Sequence, residues 1–154
     1  MPTPILLVED SDEDILLSRN SLQRAGIANP VFVVKSGDRA LAYLQGEGDY
    51  ADRERFPFPG IMLLDLKMPR MNGFQVLEWR KSQPNLRDLF VVVLSHHDEI
   101  RDVSRAYSLG ARTFLIKPCS AADFRNLAVN FPDHWQLLHN AKDEDSKRLV
   151  QAHH

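Results

Sequence analysis

One cysteine, Cys119, stands in 154 residues, which excludes an intramolecular disulfide framework and any multi-cysteine zinc site and suits a reducing compartment. Charge of one sign is also missing. Nineteen basic against twenty-one acidic residues give a formal charge of -2, so bulk electrostatics points to neither nucleic acid nor an anionic membrane as a partner. No apolar run approaches the roughly 20 residues of a membrane span. The opening Met1-Pro2-Thr3-Pro4 carries no basic leader, so neither a signal peptide nor a transmembrane helix is expected, and the chain reads as soluble and cytoplasmic. No internal repeat or low-complexity tract occurs, and no glycine-rich phosphate loop follows the first apolar run, which counts against a flavin- or nucleotide-binding enzyme. What remains, at 44% hydrophobic residues, is a chain able to bury a full core as one domain.

The pattern that is present is organised around Ile61-Met62-Leu63-Leu64-Asp65. An apolar run bounded by Pro59-Gly60 and Pro69 predicts a strand buried on both faces, and it ends on a carboxylate. Ile5 to Val8 is a similar run that stops at Glu9-Asp10-Ser11-Asp12, acids and a hydroxyl suited to capping a helix. The following helix is predicted over Glu13 to Ala25, with Ile15, Leu22 and Ala25 on one face and Gly26 ending it. Val31 to Val34 predicts the second strand, and Ser36 caps a helix that carries Leu41 and Leu44 and ends near Gly46. Residues 47–59 are charged, aromatic and rich in proline, a long surface loop best taken as an ordinary insertion and, as the rival, a docking element. Asn72-Gly73 starts a helix through Phe74, Leu77 and Lys81 that Pro84 closes. Leu89 to Leu94 is a fourth strand ending in Ser95, His96-His97-Asp98-Glu99 begins a helix with Ile100, Val103 and Tyr107, and Thr113 to Ile116 is a fifth strand ending in Lys117-Pro118. Phe124, Leu127, Ala128 and Phe131 form the stripe of a last helix. After Pro132, Trp135, Leu137 and Leu138 suggest a short helix or a continuation of the last one. Trp135 and Leu138 are either core cover or a self-association face.

Strands alternating with helices require a parallel sheet covered on both faces, an α/β architecture. The flavodoxin-like doubly wound order 2-1-3-4-5, with five strands and five helices, suits these lengths best. That order gathers Glu9, Asp10, Asp65, Ser95 and Lys117 at the carboxyl ends of neighbouring strands. Two carboxylates about 5 Å apart repel by roughly 3 kcal/mol at an effective dielectric near 20, so such a cluster is a poor way merely to stabilise a fold. A divalent cation removes the repulsion. Hard oxygens without imidazole or thiolate favour Mg²⁺. Lys117 and Ser95 are then placed to hold phosphoryl oxygens, and one carboxylate to accept the phosphoryl group as a covalent aspartyl phosphate.

Leu7-Val8-Glu9-Asp10, Leu64-Asp65-Leu66-Lys67-Met68-Pro69 with Asn72-Gly73, Ser95, and Lys117-Pro118 resemble the signature of two-component response regulator receiver domains over residues 4–131. The long loop before Pro59 and Phe131-Pro132-Asp133-His134-Trp135 resemble the single-domain regulators that pair with bacterial phytochromes. The resemblance implies a receiver domain over 1–131 and a C-terminal extension over 132–154, partly helical or frayed. It implies that a sensor histidine kinase, a bacteriophytochrome in the subfamily, phosphorylates Asp65. It further implies that Glu9, Asp10, Asp65 and the Lys67 backbone carbonyl hold Mg²⁺, that Ser95 and Lys117 close on the phosphoryl group, and that the Lys117-Pro118 bond is cis. Phe114 matches the aromatic switch position that turns inward as Ser95 moves. His96 departs from the family, where a small residue usually follows the Ser or Thr, and its ring narrows access to Asp65.

Taken singly, the same residues have plainer roles. Glu9 and Asp10 can be helix-start acids, Ser95 a capping hydroxyl, Lys117 a solvated lysine, and His96 and His97 surface histidines rather than metal ligands. Cys119 is expected to be a small filler, although a nearby helix start can activate a thiol. The expected protein is a stand-alone phosphorelay regulator that catalyses its own phosphorylation and dephosphorylation and switches a surface made by the fourth helix, fifth strand and fifth helix. Its output is an unidentified downstream protein or its own homodimer. The alternative is a docking adaptor of the same fold that works without phosphorylation.

Overall fold

The computed structural model describes residues 2–96 and 100–138. Five parallel strands, β1 (Ile5–Val8), β2 (Val31–Val34), β3 (Ile61–Asp65), β4 (Phe90–Ser95) and β5 (Thr113–Ile116), form one sheet in the order β2-β1-β3-β4-β5. The helices are α1 (Asp12–Arg24), α2 (Gly37–Gln45), α3 (Gly73–Lys81), α4 (Ile100–Ser108) and α5 (Ala121–Asn130). This is the flavodoxin-like doubly wound arrangement.

The apolar strands are continuous because each residue parity faces a different helical layer. Leu6, Val8, Met62, Leu64, Val91 and Val93 pack with Tyr43 and Leu44 of α2, Phe74 and Leu77 of α3, and Ala106 of α4. Ile5, Leu7, Ile61, Leu63, Val92 and Leu94 pack with Leu22 of α1 and Phe124, Leu127 and Ala128 of α5. Full burial of each large side chain is worth about 1.5–3 kcal/mol, so the central strands carry much of the stability.

The helix starts follow local chemistry. Ser11, Ser36, Asn72 and Ser120 each accept a hydrogen bond from the backbone three residues on, and Asn72 and Ser120 are completed as capping boxes by Gln75 and Asp123. Gly46 ends α2 at φ +68°, a left-handed geometry that a side chain would oppose.

Two expectations are corrected, and a third falls on residues the structure does not describe. The insertion at 47–59 is not merely a loop on the surface: Gly48–Ala51 forms a 3-10 turn. Tyr50 and Phe56 pack on Tyr43, whose hydroxyl donates to the Pro57 carbonyl at 3.0 Å. The fourth helix is described from Ile100, with His96 in a bend; the expected start at 97–99, and the placement of His97, lie outside the described residues. After α5 neither a further helix nor a continuation occurs between Pro132 and Leu138. Pro132 has no N–H and pushes the preceding residue out of helical geometry, and Phe131 sits at φ -130°.

That segment instead runs antiparallel beside residues 26–29. Ile27 bridges Leu137, Ala28 N donates to Gln136 O at 2.7 Å, and Leu138 N donates to Gly26 O at 2.7 Å. Asn29 locks it, its Nδ2 donating to Thr3 O, His134 O and Gln136 Oε1 while its Oδ1 accepts from Gln136 N. Trp135 is thereby buried at 1% exposure in the α1/α5 core layer, whereas Leu138 stays 54% exposed. Residues 139–154 lie outside the described residues.

Candidate functional site

The parallel order brings the carboxyl ends of β1, β3, β4 and β5 side by side, and each delivers a polar residue that the strand behind it holds fixed. Val8 pairs with Leu64, which places Glu9 beside Asp65, and Asp65 pairs with Leu94, which places Ser95 one position beyond. Ser95 in turn pairs with Ile116, and Lys117 N donates to Ser95 O at 2.7 Å. Helix α3 closes in beneath Asp65 through Gly73, whose N donates to Leu66 O at 3.0 Å. A Cβ at that glycine would lie 2.5 Å from the Asp65 carbonyl oxygen, so only glycine permits the approach.

Glu9, Asp65, Ser95 and Lys117 are all buried, while Asp10 is exposed at the rim. Carboxylate oxygens of Glu9, Asp10 and Asp65 lie within 4.8 Å of one another. This all-oxygen donor set fits a hard divalent cation. The Lys117 ammonium reaches Glu9 Oε1 at 2.5 Å and Asp65 Oδ1 at 3.1 Å. Lys67 N donates to Asp65 Oδ1 at 3.4 Å, and the Lys67 side chain lies toward Asp102, 3.8 Å away, leaving its main chain at the mouth. Phe114 is half-buried on β5 opposite Val93 and packs on the α2/α3/α4 layer. The Lys117-Pro118 bond is cis.

A residue that the sequence did not single out completes the group. Asp14, in the first turn of α1, accepts a hydrogen bond from Lys117 Nζ at 3.1 Å on Oδ2, and the same oxygen is 3.1 Å from His96 Nε2. Its only signal in the sequence is its place three residues after the capping Ser11, in the first turn of the helix. Three acids stand in that first turn, and periodicity alone does not say which faces the sheet. His96 is thus a rim residue with an acidic partner, its side chain 56% exposed.

The electrostatics follow from crowding three carboxylates around one ammonium. Burial pulls the Lys117 ammonium down, but the hydrogen bond to Glu9 and the charges of Asp65 and Glu9 more than reverse this, and it stays protonated. Burial is the largest influence on Asp14 and opposes its ionisation, but the bond and charge of Lys117 and those of His96 together outweigh it, so its carboxyl lies below the ordinary range. Glu9 is different: burial raises its carboxyl from an ordinary 4.5 to about 7, against the bond from Lys117 and with the charge of Asp65 adding to the rise. The folded protein therefore keeps a proton on Glu9 that the unfolded chain releases. That contribution to stability is present at low pH and is lost as pH climbs from 4.5 through about 7. The urea midpoint of cation-free protein is expected to fall across this window, and a rising midpoint would contradict a protonated Glu9. Cys119 is a filler, as expected: burial pushes its thiol up to about 12, which leaves no thiolate to react.

Residues 5–128 match the response regulator receiver domain family. The chain is 34% identical over 134 residues to the response regulator Rcp1 of Synechocystis sp., covering 87% of this chain and 89% of Rcp1. The crystal structure of the Mn²⁺-bound form of Rcp1 superposes with a TM-score of 0.72 at 32% identity, over 89% of this chain and 99% of that one. The bacteriophytochrome response regulator RtBRR superposes with a TM-score of 0.78 at 34% identity, over 100% of this chain and 97% of the other. The phosphorylated cyanobacterial phytochrome response regulator RcpA gives 0.72 at 32% identity, over 88% and 94%. From the first strand to the last helix, in sequence and in strand order alike, the chain belongs to the response regulator receiver domain family.

Proposed function

We propose that this protein is a phosphorelay response regulator in which Asp65 accepts a phosphoryl group from a sensor histidine kinase. The observation that carries this is the buried Lys117 ammonium 3.1 Å from Asp65 Oδ1, at a mouth where Glu9, Asp10 and Asp65 crowd their oxygens within 4.8 Å. Lys117 orients a phosphoryl oxygen and offsets its charge, and Ser95 donates a hydrogen bond to another. An Asp65 carboxylate oxygen attacks phosphorus, and the electron pair of the broken bond leaves with the histidine of the kinase or with the carboxylate of a small acyl phosphate. Positioning and charge neutralisation supply most of such catalysis, so the acceptor needs no separate base. Glu9, Asp10, Asp65 and the Lys67 carbonyl would hold Mg²⁺, which when bound supplies the remaining charge neutralisation. Hydrolysis of the acyl phosphate by water at the same mouth would return Asp65 to its carboxylate, making the protein a catalyst of its own turnover rather than an enzyme acting on a separate substrate.

Phosphorylation then acts through Ser95 and Phe114 on the surface of α4, β5 and α5, which it can shift only by favouring one of two states already present. Ile100, Tyr107 and Ile116 expose large apolar area there, as an interaction surface requires, for a downstream protein or a second copy of the chain. Likeness to RtBRR and RcpA supports a bacteriophytochrome as the kinase. Among the described residues no helix is long and apolar enough to cross a membrane, in keeping with a cytoplasmic partner for such a kinase. The docking-adaptor alternative is not favoured, since no acid, Ser95 or Lys117 is missing.

Incubation with Mg²⁺ and a small acyl phosphate, followed by intact mass, tests this reading: one phosphoryl group is expected, and an unchanged mass rejects it. Replacing His96 by Ala is expected to speed this uptake several-fold, on the order of the access effects that positioning governs. An equal or slower rate would deny the ring a gating role.

A further inference from the structure

We propose that Asp14 is a positioning residue for Lys117, the one carboxylate that keeps the ammonium aimed at the phosphoryl site after Glu9 and Asp65 have taken up their other work. The inference rests on the phosphorelay reading for its consequence, but not for its geometry. A lysine ammonium carries three protons, and among the described residues three carboxylates surround it: Glu9 at 2.5 Å, Asp14 at 3.1 Å and Asp65 at 3.1 Å. Two of the three belong to the acid trio with Asp10, and Asp14 does not. In the working protein a bound cation would draw on Glu9, and Asp65 would carry the phosphoryl group. Asp14 has neither claim on it.

Its own position is well fixed. The Asp14 backbone N donates to the Ser11 cap at 3.2 Å, in the first turn of a helix that packs on the sheet through Leu22. Lys117 is anchored at the other end by the main-chain bond to Ser95. Between those anchors lies a flexible side chain that is 4% exposed, where an ammonium without partners is costly. The contact of Asp14 with His96 is at the rim, and an exposed pair of that kind contributes little. The part-buried bond to Lys117 is the one that orders the site.

The test uses Asp14→Ala, which removes the acceptor, and Asp14→Asn, which keeps an oxygen in place without the charge. In Mg²⁺-saturated protein labelled with ¹⁵N at the lysine side chains, the Lys117 ammonium, assigned by its absence in Lys117→Met, is expected to give an exchange-protected signal. Asp14→Asn should keep that signal and Asp14→Ala should lose it. At saturating Mg²⁺, Asp14→Ala is expected to take up the phosphoryl group at least about tenfold more slowly than the parent, with Asp14→Asn retaining more than half the rate. Cation affinity by calorimetry should stay within a few-fold in both. A protected ammonium in Asp14→Ala, a rate equal to or above the parent's, or an Asp14→Asn as slow as Asp14→Ala would each overturn the proposal. A parent that takes up no phosphoryl group would reject the phosphorelay reading instead, while the ammonium signals still decide whether Asp14 holds Lys117.

Discussion

Asp65→Asn is expected to remain at its unmodified mass after incubation with Mg²⁺ and an acyl phosphate under conditions that fully convert the parent. The amide has nearly the shape of the carboxylate but neither its charge nor a nucleophilic oxygen able to form the acyl phosphate. Removing a nucleophile of this kind costs at least about 10³-fold in rate, which in a mass measurement reads as complete loss. Misfolding would not explain the result. Asp65 shares one buried ammonium with Glu9 and Asp14, so neutralising it relieves crowding among like charges, and the variant should unfold at the same urea concentration as the parent or higher. Retention of the added mass would move the acceptor to Glu9, Asp10 or Asp14 and dismantle the assignment.

Trp135→Ala is expected to destabilise the protein by about 3–5 kcal/mol, as large aromatic truncations in cores do, read as a lower urea midpoint at unchanged slope. Trp135 is 1% exposed and meets the rings of Phe90 and Phe124 at centroid distances of 6.0 and 6.3 Å. Its loss would open a cavity in the α1/α5 layer and free the strand that Asn29 clasps. Among the described residues the buried indole Nε1 has no hydrogen-bond partner, and such a donor carries a desolvation cost of roughly 1–3 kcal/mol. Trp135→Phe, which removes that donor and keeps most of the ring, should therefore cost far less than the alanine. A change below about 1 kcal/mol in Trp135→Ala would show that residues 132–138 cover the core without contributing to it.

These two variants mark where sequence reasoning succeeds and where it stops. Asp65 ends a run of apolar residues, and runs of that kind separated by helical stripes leave few topologies open once crossovers must be right-handed and both sheet faces covered. Trp135 carried no periodicity, because the segment holding it is neither helix nor a strand of the main sheet. Its place depends on Asn29, more than a hundred residues away, and on Pro132 stopping α5. Asp14 was hidden for a related reason: first-turn acids satisfy the helix dipole wherever they point, so their usual role masked this one.

The order of elements, the doubly wound strand order and the acids at the ends of β1 and β3 were determined by the sequence itself, since the alternation of strand and helix, caps and chain breaks are local and repeat along the chain. Only the tertiary structure decided that Lys117 divides its protons among three carboxylates, that α1 supplies one of them, and that the segment after α5 folds back to bury Trp135. Those features depend on distances between residues remote in the chain, and such distances exist only once the sheet has brought the elements together.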